Sequence, residues 1–243
     1  MELFELFPGV KASKHGALHI ERLECMTVAD LHLGFEGILA ERGIFVPKVQ
    51  FSEVMKKLRD EKEEKTLVIL GDVKHEFSET TYHEFAEVRE LFSWAKEKFE
   101  RVYLVRGNHD NFIGPLCKRF GIEFVEELLL DNFFFFHGHR EVRVPEKADY
   151  LIMGHEHPAV ELASGTMREK VKCFLYGRVN GRRLVVLPAY STLMEGTEIN
   201  NLPREELLSP FLRSVDVNQL KCLGIDEELS FLELPEVGKL RKI

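Results

Sequence analysis

The chain is poor in anything that would staple it covalently or seat it in a bilayer. Its four cysteines, Cys25, Cys117, Cys173 and Cys222, are widely scattered and form no C-x-x-C pair. That spacing suggests neither a disulfide framework nor a thiolate zinc site, so they read as reduced core residues. No apolar run approaches the length of a membrane span, and no membrane partner is expected. The opening residues, MELFELFPGV, are acidic and soon broken by Pro8 and Gly9. They lack the basic start and apolar stretch of a signal peptide, which makes cytoplasm the expected location. Positive charge is also short: 33 Lys and Arg stand against 41 Asp and Glu, a net charge of −8. Nonspecific nucleic-acid affinity comes mainly from cations neutralising phosphates. A protein that coats nucleic acid through its own surface is therefore not expected, although a local basic patch or bound cations would reverse the sign at one place.

What is present is an ordinary globular composition, 44% apolar and 30% charged over 243 residues, enough for a sizeable core. With no repeat and no linker in view, residues 1–243 are expected to form one domain, with 200–243 a C-terminal extension packed on it. The Lys and Glu clusters in RDEKEEK and AKEKFER are compatible with a thermophilic source.

Six strand-length apolar stretches end abruptly in polar or glycine-containing clusters: LECMTVAD, TLVILGD, RVYLVRGNHD, NFFFFHGH, YLIMGHEH and RLVVLPAY. Continuous apolar runs suit strands buried on both faces. Between the first three lie two helical patterns. One begins near Pro47 and carries Phe51, Val54, Met55 and Leu58; the other places Phe85, Val88, Phe92, Ala95 and Phe99 on one face. Strand, helix, strand, helix, strand predicts βαβ crossovers and a largely parallel first half. In the second half, VKCFLYGRVNGRRLVVL predicts a hairpin turning at Asn180-Gly181. Short strands are also expected near the N-terminus. The fold class is thus α/β, a pair of mixed β-sheets flanked by helices.

The residues after those strands carry the chemistry. Asp30 and His32 follow the first, Asp72 the second, and Asn108 and His109 the third. His137 follows the fourth, and His155 and His157 the fifth. Open sheets with crossover helices gather ligands outside the carboxyl ends of their strands. Each piece has a plainer reading: Asp30 as a helix cap, Gly71-Asp72 as a turn, His137 as a loop residue. Together, Asp oxygens and His nitrogens without thiolate suit hard or borderline divalent ions, and there are enough of them for two. Two such ions can clamp the attacking and leaving oxygens of a phosphoryl displacement.

In that order, the pieces ADLHLG, LGDVKHEF, RGNHD, FHGH and MGHEHP resemble the motifs of the calcineurin-like metallophosphoesterases. The resemblance runs from about Thr27 to about Pro188. The longer strings ADLHLGFE, GDVKHEF and GHEHPAV look like the branch of archaeal phosphoesterases related to the SbcD repair nuclease, and like the bacterial PdeM proteins associated with DNA ligase. The resemblance implies a four-layer α/β/β/α sandwich. It implies that Asp30, His32, Asp72 and His157 hold one metal, and Asp72, Asn108, His137 and His155 the other. The ions are expected to be manganese first, with nickel, iron, zinc or magnesium as alternatives.

The implied mechanism is in-line attack of water on phosphorus, with the ions and His109 stabilising the developing charge. His109, held by Asp110, would protonate or hydrogen-bond the departing oxygen. Arg106, His75 and His139 are candidates for touching substrate, His75 and His139 also for supporting their neighbours. His15, His19 and His83 read as structural or exposed. The expected substrate is a phosphodiester, a nucleotide or nucleic acid, with a DNA-repair protein as a possible partner. No capping domain of the SbcD type fits after Pro188. A phosphomonoesterase is the nearest alternative, and a binding scaffold on an inactive phosphoesterase fold the more distant one.

Overall fold

The computed structural model describes residues 2–41, 43–44, 46–76, 82–164, 167–226 and 230–241. Two sheets face one another. The first runs in chain order: β1 (Leu3–Phe7), β2 (Val10–Ser13), β3 (Leu18–Ile20), β4 (Cys25–Val28), β5 (Thr66–Leu70), β6 (Arg101–Val105) and β7 (Glu123–Val125). β1 to β4 pair antiparallel, and β4 to β7 pair parallel through helical crossovers. The helices are α1 (Phe35–Glu41), α2 (Gln50–Asp60), α3 (Tyr82–Lys98) and α4 (Gly114–Phe120).

The second sheet contains β8 (Leu128–Leu130), β9 (Phe133–Phe136), β10 (Tyr150–Met153), β11 (Pro158–Ser164), β12 (Met167–Val179), β13 (Arg182–Val186) and β14 (Thr197–Glu198). Its order is β14-β11-β12-β13-β10-β9-β8. β12 and β13 are joined at Asn180 and Gly181, both with positive φ (49° and 81°), the turn that the sequence predicts. Residues after 200, legible only as short patterns, add β15 (Lys221–Asp226) on β12 and β16 (Ser230–Glu236) on β15. α5 (Pro210–Ser214) and α6 (Val237–Leu240) complete the chain.

Strand alternation explains the continuous apolar runs. In β5, Leu67 and Ile69 face the helices, while Val68 and Leu70 face the other sheet. In β9, Phe133 and Phe135 enter the core between the sheets, while Phe134 and Phe136 enter an outer core with Leu212, Leu220 and Val237. Three cores thus separate four layers. Of the predicted helical face on α3, Val88, Phe92 and Ala95 are buried, but Phe85 in the first turn is exposed. α2 starts at Gln50, later than Pro47, because the Glu36 carboxylate of α1 accepts from the N–H groups of Val49 and Gln50 (2.7 and 2.8 Å) and sets the helix start. No helix among the described residues is long and apolar enough to cross a membrane.

Candidate metal centre

The parallel ladder of β4 and β5 continues past the strands into the two loops that follow. Asp30 N–H donates to the Gly71 carbonyl, His32 N–H to that of Asp72, and Leu33 N–H to that of Val73. Zipped in this way, Asp30, His32 and Asp72 all stand at positive φ (57°, 46° and 50°). His155 and His157, after β10, do the same (67° and 47°). Non-glycine residues seldom adopt this region, and such strain gathers at functional sites. Nothing in the spacing of the motifs announces it.

Glycines at the strand ends allow the loops to approach closely. A Cβ at Gly107 would stand 2.9 Å from Asp72 Cγ, and one at Gly154 would stand 2.7 Å from Asp30 Oδ2. Asp30 joins the two sheets: its Oδ2 accepts from His155 N–H (2.9 Å), and its Oδ1 lies 3.2 Å from His157 Nε2. His32 Nε2 stands 3.4 Å from His157 Nε2. Asp72 Oδ2 lies between His137 Nε2 at 3.3 Å and His32 Nε2 at 4.0 Å. Asn108 Oδ1 is 3.2 Å from the same His137 nitrogen. Because His137 Nδ1 points at the Leu70 carbonyl (2.7 Å), it must be the protonated nitrogen of the neutral ring, which turns Nε2 inward as the ligand atom.

Among the described residues, three groups have ligand atoms close enough to hold a metal: Asp30, His32 and His157; His32, Asp72 and His109; and Asp72, His137 and His155. All seven residues expected as ligands converge here. The donor set fits a divalent cation on a direct observation. Asp30 Oδ1 is buried without a hydrogen-bond partner, 3.2 Å from His157 Nε2. A cation held between the carboxylate and the imidazoles would satisfy that orphaned oxygen.

The electrostatics of the ion-free cluster agree. Burial pushes His32 down to about 3 against the pull of Asp72, and burial with His137 nearby takes His155 to about 4, so both rings are neutral donors. Burial would raise Asp72 and Asp30, but neighbouring imidazoles, His137 for Asp72 and His157 for Asp30, hold both carboxyls below their ordinary values. Burial likewise opposes a charge on His137, yet Asp72 and Asp30 raise it to about 9. The cluster without ions therefore keeps one proton on His137 where a cation would sit.

Around this centre, His109 N–H donates to Asp72 Oδ1 (2.9 Å), and its ring Nδ1 donates to the His75 carbonyl. Asp110 is placed differently from the expected contact with His109. Its buried carboxylate accepts from the main-chain N–H groups of Gly107 and Asp72 (both 2.8 Å) and Val73 (3.0 Å), binding two ligand loops together. Burial and nearby Asp72 raise it to about 6. The His75 ring packs between Phe35 (4.3 Å) and His109 (5.5 Å). His139 stands half-buried beside His137 and His155, and burial with His137 lowers it to about 4. Arg106 is held by Glu126 (3.1 Å) and Asn111 (3.0 Å).

Away from the centre, His19 is buried against Glu61 and Glu64, and His15 is half-buried. The His83 side chain lies outside the described residues.

Two supporting residues were not anticipated. Gln50, fully buried, donates through Nε2 to the carbonyls of Leu31 (3.3 Å) and His32 (3.0 Å) and to Ser191 Oγ (2.8 Å). It fastens the strained turn carrying Asp30 and His32. Glu156, between the two histidines of GHEH, turns away from the centre and accepts from the N–H groups of Leu208 (3.1 Å) and Ser209 (2.9 Å). Its place inside the motif was the one available signal; Gln50 had none.

A family model, calcineurin-like phosphoesterase, matches residues 26–146. No curated protein matches the chain. Among solved structures, the nuclease MPE of Pseudomonas putida is 20% identical with a TM-score of 0.67, over 96% of this chain and 99% of that one. The E. coli phosphoesterase Yfce is 18% identical, with a TM-score of 0.38 over 84% of this chain and 88% of its own. Zinc-complexed Vps29 of Entamoeba histolytica is 14% identical, with a TM-score of 0.36 over 71% and 79%.

Proposed function

Starting from a chain with the calcineurin-like phosphoesterase fold, we propose that it is a divalent-metal-dependent phosphodiesterase acting on nucleotides or nucleic acid. The observation that carries this reading is the position of Asp72. It belongs to two of the three groups that could hold a metal and stands between His32 and His137, where its carboxylate would serve both.

In this reading Asp30, His32, Asp72 and His157 would hold one ion, and Asp72, Asn108, His137 and His155 the other. Manganese is the first candidate. Bound there, the ions supply positive charge to the phosphoryl oxygens and acidify water at the centre. The remaining work belongs to the chain. The low-lying His32 and His155 are neutral ligands at any physiological pH, so binding at these two costs no deprotonation. His109 is oriented by the His75 carbonyl, which places the N–H on Nδ1 and makes Nε2 the nitrogen that takes or gives a proton. In its charged form the ring donates to the departing oxygen of the ester. Asp110 keeps the loops of Asp72 and Asn108 in register and supports His109 through them.

The kinship proposed within the superfamily is with the SbcD-related and PdeM-type proteins, on the strings ADLHLGFE and GHEHPAV. Residues 1–243 form one domain in this reading, cytoplasmic, with a DNA-repair protein as its partner. The nuclease character of the Pseudomonas putida protein supports the substrate class by fold likeness alone.

The test is hydrolysis of bis(p-nitrophenyl) phosphate by metal-stripped protein, restoring manganese, nickel, magnesium or zinc in turn. Metal-dependent cleavage lost in Asp72→Asn is the expected result. Cleavage of the monoester analogue alone would make the protein a phosphomonoesterase. Silence with every metal and both esters would leave a binding scaffold.

A further inference from the structure

Phe112 is the most exposed large aromatic side chain among the described residues, with 72% of its surface open. Its backbone is left-handed, at φ 65°. Both features are unfavourable for phenylalanine. A bulky residue rarely takes positive φ, and a ring left in water gains nothing from the hydrophobic effect. The neighbours explain why neither is relieved. Asp110, two residues earlier, is buried and fixed by three main-chain N–H groups. Asn111 accepts from Arg106 (3.0 Å) and donates to the Asn108 carbonyl (3.4 Å). Ile113, next after Phe112, is buried at the start of α4. The chain is anchored on both sides, and the ring is held outward between the anchors, in the turn that follows the one carrying Asn108 and His109.

Single exposed apolar residues are common and need no explanation. A ring held out by a left-handed backbone, three residues from the proposed acid, is a different case, because strain is retained where function needs it. Resting on the phosphodiesterase reading above, we propose that Phe112 is a stacking platform for the base of a nucleoside in the substrate, on the side of the departing oxygen that His109 serves. Every base has a π-face, so such a platform selects nucleosides as a class and tolerates any base. It also answers the problem of charge. A chain at −8 has little general attraction for phosphate polymers, and stacking gives affinity that needs no surface cations.

Phe112→Trp turns the position into its own reporter. The native tryptophan, Trp94, packs against Phe99 in the helical layer and provides a constant background. Emission is followed while AMP or UMP is added, with ribose 5-phosphate as the control lacking a base, first in chelator and then with manganese. Saturable quenching of Phe112→Trp by both nucleotides, at least fivefold tighter than by ribose 5-phosphate and absent from the wild type, is expected. Phe112→Ala should raise KM at least fivefold for a dinucleoside monophosphate, leave kcat within twofold, and leave KM for a glycerol phosphodiester unchanged. Equal responses to nucleotides and ribose 5-phosphate under both conditions would overturn the platform and leave the hydrolytic reading standing. Nucleotide-specific quenching of Phe112→Trp, in a protein whose wild type hydrolyses no ester, would do the reverse.

Discussion

The main-chain carbonyl of His75 accepts the Nδ1 proton of His109, so the tautomer of the proposed acid is set by a neighbouring loop and not by a carboxylate. A backbone oxygen cannot be removed by substitution, which makes the ring itself the informative target. His109→Ala should lower kcat by roughly 10²–10⁴-fold, the usual range for losing a general acid. Metal content measured by mass spectrometry should stay at two ions per chain. Loss of both ions would show His109 to be a ligand, in keeping with its place beside His32 and Asp72.

The proton on His137 predicts how ion binding depends on pH. With its value raised to about 9 by Asp72 and Asp30 against burial, the ion-free centre carries that proton at neutral pH. An entering cation must displace it. Apparent manganese affinity should therefore rise with pH, by about tenfold per unit for one proton, and level off above about 9. Calorimetry in buffers of different ionisation enthalpy counts the released proton.

Stability without ions should move the opposite way. A histidine whose folded value is raised contributes stability that is complete below its unfolded value and lost as pH rises through the folded one. For His137 that window runs from about 6.5 to about 9. Asp110, raised to about 6 by burial and Asp72, adds a loss of the same sign at lower pH. In chelator, Tm should fall between pH 6.5 and 9; a rise across that interval would contradict the assignment.

Gln50 donates from one buried nitrogen to three acceptors, two of them carbonyls in the turn carrying His32. Gln50→Met keeps the volume and removes the donor. The expected cost is about 1–3 kcal/mol in stability, from leaving buried acceptors unsatisfied. Manganese affinity should fall about 10–100-fold, as for other groups that orient ligands. A variant that lost stability but bound manganese as before would confine Gln50 to packing.

Glu156→Gln should loosen the segment around Leu208 and Ser209, since an amide offers one oxygen where the carboxylate offers two. About 1–3 kcal/mol is at stake. Limited proteolysis should cut the variant near these residues sooner than the wild type, and equal rates would dismiss the tether.

Much of this was legible in the residues. Leu67 to Leu70 and Phe133 to Phe136 are apolar at every position because both faces of their strands are buried. Asn180 and Gly181 announce their turn. Asp30, His32, Asp72, Asn108, His137, His155 and His157 are conspicuous because polar groups seldom close an apolar run without a task. Other elements leave no such mark. α1 and α4 have only seven residues each, too few to show a period. Gln50 looks like any helical glutamine, and the part Asp110 plays depends on N–H groups 37 and 38 residues away. β15 and β16 are recognisable only once β12 is there to pair with them.

Five residues at the centre, Asp30, His32, Asp72, His155 and His157, keep a backbone twist that most side chains avoid. Contacts away from any ion hold them in it: the zipped ladder of the first two loops, Gln50 under the turn of His32, Asp110 behind Asp72, and Asp30 across to His155. The shape of the socket therefore rests on protein contacts alone, and exchanging one divalent ion for another should require no refolding of the chain.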